Sequence, residues 1–327
     1  VVGVSAAADK TDSSKASKGS TVTFANFREA YDAGNRLLRE RKFQSAVDAY
    51  TQAENFASAP SVKSQAANAA GWTLVKARKW IEAREIFRRA VQYDPKNKTA
   101  LGNLGFSALK IYQYGLGSDP DFEEALKSLE ACSAIDPAYK ADLLESAKTI
   151  QARHETNGTV TPIPAPKAGV SYMEAKTLGD KAQAQGQYDL ALQYFKKAEA
   201  GATTSKAKGA TANRQGLVLL EARRPKEAVA HFERAIKAEP SEKIFLNNLG
   251  LAYWTLYDAG LADTAVLKQA VDAFYKSNGM DASYHGENLR MALNELKEAD
   301  PDSAKPYDSK KDPETGEAAP MGSPTAK

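Results

Sequence analysis

The chain has 327 residues, 43% of them apolar and 26% charged, and 44 Lys plus Arg against 41 Asp plus Glu give a net charge of +3. This composition has room for two ordinary folded domains and excludes a wholly disordered chain. So small a net charge makes no electrostatic case for nucleic acid or an anionic membrane, and no run approaches the ~18 consecutive apolar residues of a membrane-spanning helix.

The sequence starts Val1-Val2-Gly3-Val4 and stays small and apolar until Asp9. Such a start fits the end left by signal cleavage, which points to export to a periplasm, cell surface or extracellular space. A start inside a longer, cytoplasmic gene product fits as well. Residues 1–23, rich in Ala, Ser and Lys, form a low-complexity tail with no helical periodicity and no expected packed core.

From residue 24 onward one pattern recurs: Gly, Ala twelve residues later, an aromatic four after that, and a small residue three further on. It reads Gly34, Ala46, Tyr50, Ala53, then Gly71, Ala83, Phe87, Ala90. It returns as Gly179, Ala191, Phe195, Ala198 and Gly216, Ala228, Phe232, Ala235. Two stretched copies, Gly105–Ala125–Leu129–Cys132 and Gly250–Ala270–Phe274–Ser277, carry eight extra residues between Gly and Ala. Two short antiparallel helices per unit explain the pattern. Small residues sit where helices cross closely, large ones fill the space between units, and stacking buries faces that one pair cannot bury alone. A bulky residue three before the Ala supports this at Phe43, Trp80, Phe122, Tyr188 and Leu267, while Pro225 replaces it in one unit, at the first position of a helix.

The whole block is duplicated at a constant offset of 145 residues, from Gly34 to Gly179, Gly71 to Gly216 and Gly105 to Gly250. The inserted loop keeps the same offset, with Tyr112, Gly115 and Leu116 matching Tyr257, Gly260 and Leu261. An extra helix is expected after each third unit, over 139–154 and 284–299, closing its stack with a polar exterior. The expected layout is therefore a first module at 24–154, a Thr/Pro-rich semi-rigid spacer at 155–170, a second module at 171–299 and a low-complexity tail at 300–327 with no packed core. A cap after each third unit implies two separate stacks.

These residues resemble the tetratricopeptide repeat family, with Leu104-Gly105, Leu178-Gly179 and Leu249-Gly250 matching its first-helix pair, although the family's leading Trp is absent. The resemblance implies an all-α solenoid of helical hairpins whose first helices line a concave groove for protein or peptide partners. Helical geometry then places Trp72, Phe106, Leu109, Leu217, Leu220, Leu251 and Trp254 on that face. It also places there two amide pairs matched across the duplication, Asn68 with Asn213 and Asn103 with Asn248. Asn is a poor helix-interior residue that both donates to and accepts from a main chain. Packing between helices is the competing role for the aromatic positions. Some relatives grip a terminal carboxylate with Lys and Asn in the groove. Here Asn35 fits, but Tyr31, Ala69, Thr99 and Asn103 stand at the other positions, so that clamp is not expected.

No catalytic, cofactor-binding or metal-binding constellation is legible. His154, His231 and His285 are far apart, and no phosphate loop or Gly-x-Ser-x-Gly elbow occurs. Gly115-Leu116-Gly117 reads as a turn, and Cys132 as a buried small side chain. Asn157-Gly158-Thr159, and more weakly Asn97-Lys98-Thr99, fit the glycosylation acceptor pattern, so attached glycans are an expectation. The favoured function is a non-enzymatic scaffold holding partner segments. The alternative is an extracellular filament of further copies of the chain, assembled head to tail with Val1–Val4 docked in the next subunit.

Overall fold

The computed structural model describes residues 23–157, 162–280 and 286–308. Fifteen helices and no strand occur among them. The first stack consists of α1 (Phe27–Arg39), α2 (Phe43–Phe56), α3 (Pro60–Lys76), α4 (Trp80–Tyr93), α5 (Lys98–Gln113), α6 (Asp119–Ile135) and α7 (Ala141–Asn157). The second consists of α8 (Tyr172–Ala184), α9 (Tyr188–Gly201), α10 (Ser205–Glu221), α11 (Pro225–Ala238), α12 (Lys243–Asp258), α13 (Thr264–Met280), α14 (Gly286–Ala299) and α15 (Pro301–Asp308). Each helix from α1 to α6 packs on the next, as does each from α8 to α13, and α7 and α14 close their stacks on α6 and α13.

The recurring glycine has a direct spatial cause. A Cβ on Gly71 would lie 2.6 Å from the Phe87 ring, and one on Gly216 would lie 2.5 Å from the Phe232 ring. Gly34 faces Tyr50, Gly105 faces Leu129, Gly179 faces Phe195 and Gly250 faces Phe274 in the same way. The first helix of each hairpin thus yields its surface to the large side chain of the second. Tyr50, Phe87, Leu129, Phe195, Phe232 and Phe274 are all buried, and the Ala positions around them are fully enclosed. Truncating one such ring costs about 3–5 kcal/mol.

Side-chain caps start several first helices. Asn26 Oδ1 accepts from Glu29 N, Ser171 Oγ from Glu174 N, and Asn97 Oδ1 from Thr99 N and Ala100 N. The second helices α2, α4, α9 and α11 have no side-chain cap, since each follows a tight turn with a left-handed residue: Arg41, Arg78, Gly186 or Arg223. In these turns the next amides bond back to the ending helix, as Arg78 N to Val75 O and Lys79 N to Leu74 O.

Three features depart from the expected layout. The tail beyond 300 is not wholly without a core: α15 buries Ala304 and Tyr307 against α13 and α14, and the Tyr307 hydroxyl bonds Asp272. The spacer does not stand free over its described part, because Ile163 is buried among residues of α8 and α9 and Tyr194 donates to Pro164 O at 2.6 Å. Helix α7 runs to Asn157, three residues beyond the expected end.

The two stacks also touch, through loops related by the duplication. The eight-residue insertion lengthens the α5–α6 and α12–α13 hairpins so that each turn reaches the opposite stack. Arg78 lies over the Tyr257 ring at 4.3 Å, and Arg223, its match 145 residues on, lies over the Tyr112 ring at 3.8 Å. Gly260 adopts φ +70 and has no room for a Cβ beside the Arg78 carbonyl oxygen; Gly115, at φ +69, meets the Arg223 carbonyl oxygen identically. Residue and partner exchange roles across the contact, as in a self-complementary two-fold dimer. The polar fringe is lopsided. Asp258 accepts from Arg78 and Tyr114, its carbonyl accepts from Trp80 Nε1 at 2.7 Å, and Arg78 also pairs with Glu295. On the other side Arg223 donates to Tyr112 O at 3.1 Å.

Candidate functional site

Each stack has a cavity on the face built by its first helices. In the first, α1, α3 and α5 and the α6–α7 turn enclose about 360 Å³ between Asn35, Leu38, Tyr50, Asn68, Ala69, Trp72, Thr99, Asn103, Tyr139 and Lys140. In the second, α8, α10 and α12 enclose about 290 Å³, with Lys176, Asn213, Arg214, Leu217, Ile244 and Phe195 among the lining residues. Asn68 and Asn213, Trp72 and Leu217, Thr99 and Ile244, and Tyr50 and Phe195 are each 145 apart, so the two cavities are one site duplicated.

The amide pairs bond to each other. Asn103 Nδ2 donates to Asn68 Oδ1 at 3.0 Å, and Asn248 Nδ2 donates to Asn213 Oδ1 at 2.9 Å. Asn103, Asn213 and Asn248 are buried, while Asn68 is half-buried on the cavity wall. Each pair ties the second hairpin to the third and leaves one polar edge on the groove. Tyr50 donates to Asn35 Oδ1 at 2.7 Å, and burial pushes its phenol up to about 12.

Trp72 lines both the first cavity and a further one of about 210 Å³ at the junction of the stacks, where Phe106, Trp80 and Arg78 meet Tyr257, Glu295 and Glu298 from the second stack. Trp72 and Phe106 lie 6.4 Å apart, ring to ring. Leu217 lines the second cavity; Leu251 packs beside α13 and Leu220 beside α11.

Of the residues expected on the concave face, Leu109, Leu220, Asn248, Leu251 and Trp254 line none of these three cavities, and Leu109 and Trp254, matched across the duplication, are engaged in packing. Leu109 is only 2% exposed among Phe122, Leu129 and Ala147. Trp254 packs edge-on against Phe274 and donates from Nε1 to Glu295 at 2.7 Å. Both sit at the outer end of their third unit, where the face turns toward the capping helix, so stack closure claims them.

Lys140 was not singled out from the sequence, because it lies in the α6–α7 turn, outside the repeat pattern. It holds a left-handed backbone and folds its ammonium over Phe106 at 4.9 Å. Burial pulls its pKa below the ordinary lysine value.

Cys132 is buried against Lys98 O, and burial raises its thiol pKa. Asn97 donates from Nδ2 to Ser64 Oγ at 2.8 Å, and its oxygen caps α5. Asn157 ends α7 instead of lying in the spacer, and the rest of its acceptor triplet is outside the described residues, as are His285 and the 1–22 segment carrying Val1–Val4. Among the described residues no helix is long and apolar enough to cross a membrane, and no group of three or more His, Cys, Asp or Glu side chains is placed to hold a metal ion.

Stacked helical hairpins with a groove along their first helices define an α-solenoid repeat protein. Residues 213–282 match the family described as Tetratricopeptide repeat, and the hairpins outside that segment keep the same Gly, Ala and large-residue register. Residues 213–282 are thus a tetratricopeptide repeat segment within a chain of like-built helical hairpins. Among solved structures it is similar to the TPR2AB-domain:pHSP90 complex of yeast Sti1, at 14% identity over 85% of this chain and 98% of that one, with a TM-score of 0.34. It is also similar to a tetratricopeptide repeat protein from Parabacteroides merdae, at 14% identity over 82% and 99% with a TM-score of 0.36. Yeast Tom70 aligns at 16% identity over 86% of this chain and 63% of that one, with a TM-score of 0.32. A search of curated proteins returns no match.

Proposed function

We propose that the chain is a non-enzymatic scaffold that holds segments of partner proteins in its two grooves. The observation that carries this is the duplicated cavity on the concave side, lined by Asn68 and Asn103 in the first stack and by Asn213, bonded from behind by Asn248, in the second, with Trp72 in one and Leu217 in the other. A groove of this kind offers an extended segment an amide edge for its main chain and an apolar wall for its side chains. Contact between the stacks through Arg78–Gly260 and Arg223–Gly115 supports a constant spacing of the grooves, and two sites at a constant spacing raise avidity for a partner that spans them. Affinity capture with the full chain tests the reading, with Trp72→Ala and Leu217→Ala as groove variants. Partners recovered by the unaltered chain are expected to be lost in one or both; recovery unchanged in both contradicts it. The alternative of a filament docked through Val1–Val4 rests on residues outside the described ones.

A further inference from the structure

The duplicated cavities have kept their frame and changed their chemistry. Where the first groove meets the junction cavity, the Trp72 and Phe106 rings are flanked by ammonium groups: Lys76 stands 5.5 Å over Trp72, while Lys140 at 4.9 Å and Lys110 at 6.0 Å stand over Phe106. Lys110 is spoken for by Tyr114 and Asp258. Lys76 and Lys140 have no ion-pair partner among the described residues, and no carboxylate lines the first cavity. At the positions 145 residues on, Lys76 becomes Glu221, Lys110 becomes Thr255, Trp72 becomes Leu217 and Phe106 becomes Leu251. The second cavity instead mixes signs, with Lys176 and Arg214 both paired to Asp180 and with Glu239 and Glu242 on the rim.

The first groove also runs on through Trp72 into the junction cavity, where the carboxylate of Glu295 is held by Arg78, and where Arg41 and Lys76 share the wall with the carboxylate of Glu298. An incoming chain along this path therefore meets unpaired cations above aromatic rings.

We propose that the two grooves select different segments, and that the first, continued by the junction cavity, takes a segment of a partner protein rich in Asp and Glu side chains. This deepens the scaffold reading and rests on it. A half-buried ammonium group without a counter-ion, such as Lys140, gains more from an anion than an exposed one such as Lys76, because water and salt screen it less. The burial that lowers the Lys140 pKa marks it as such a group.

The test is fluorescence anisotropy on the full chain. The probe is a fluorescein-labelled nonapeptide alternating Glu and Leu, amidated at its C-terminus so that only side-chain carboxylates are offered. Its counterpart carries Gln for every Glu. The Glu probe is expected to bind about tenfold or more tightly than the Gln probe, a gap that narrows as salt rises. The gap should close in Lys76→Glu and in Lys140→Gln, and persist in the second-groove variant Lys206→Gln. Lys76 is exposed, so its variant folds whatever becomes of Lys140. Equal binding of both probes, a gap that survives Lys76→Glu, or one lost as fully in Lys206→Gln overturns the proposal. If partner capture still depends on Trp72 in that event, the groove stands and only its acidic selectivity falls.

Discussion

Replacing Gly260 with Ala isolates the contact that holds the two stacks together. The residue adopts φ +70, a conformation that costs an L-residue about 1–2 kcal/mol. Its new Cβ would also meet the Arg78 carbonyl oxygen, a backbone atom fixed by the turn into α4. Relieving that collision by overpacking costs about 1–3 kcal/mol more. Separating the turns instead gives up the Trp80 Nε1 bond to Asp258 O and the Arg78 ion pairs. Gly169 supplies the control, because it adopts φ +78 with nothing within 4 Å of a built Cβ. Gly169→Ala therefore carries the conformational cost alone. Equilibrium urea denaturation should place Gly260→Ala below Gly169→Ala by about 1–3 kcal/mol, with Gly115→Ala falling beside Gly260→Ala. Equal losses at 169 and 260 would refute the reciprocal contact.

The Asn pairs and one phenol give two further outcomes. Asn248→Ala leaves the buried Asn213 carbonyl without its donor and should cost about 1–3 kcal/mol; Asn103→Ala should cost less, since water in the cavity reaches the half-buried Asn68. Thermal melts of both variants check this order. Tyr50 ionises near 12 when folded and near 10 when unfolded, so the stability it lends is complete below pH 10 and fades as pH rises toward 12. Melting temperatures followed from pH 8 to 12 should fall less steeply in Tyr50→Phe, a change the Phe195 site already accommodates.

The sequence made the hairpins legible because their packing is local. A glycine and the ring that covers it lie sixteen or twenty-four residues apart, and that spacing recurs along the chain. The inserted loop was equally visible as a duplicated feature, yet its purpose was not, since Gly260 and Arg78 are 182 residues apart and only the folded chain brings them together. Duplication pointed to the Asn positions without revealing that they bond each other before any partner. Helix α15 escaped notice because it is short and contains Pro306, and its anchor, Tyr307 on Asp272, lies on another helix. At Leu109 and Trp254 one helical face serves both groove and cap, and periodicity alone does not divide the two. Lys76 and Lys140 carry no repeat signature, and their meeting around Trp72 and Phe106 is a product of the stack.

Amide hydrogen exchange of the full chain, with and without a partner recovered by affinity capture, tests the scaffold most directly. Bound partner should slow exchange along α1, α3 and α5, along α8, α10 and α12, or along both sets. Protection confined to α2, α4, α9 and α11, with the first helices unchanged, would contradict it.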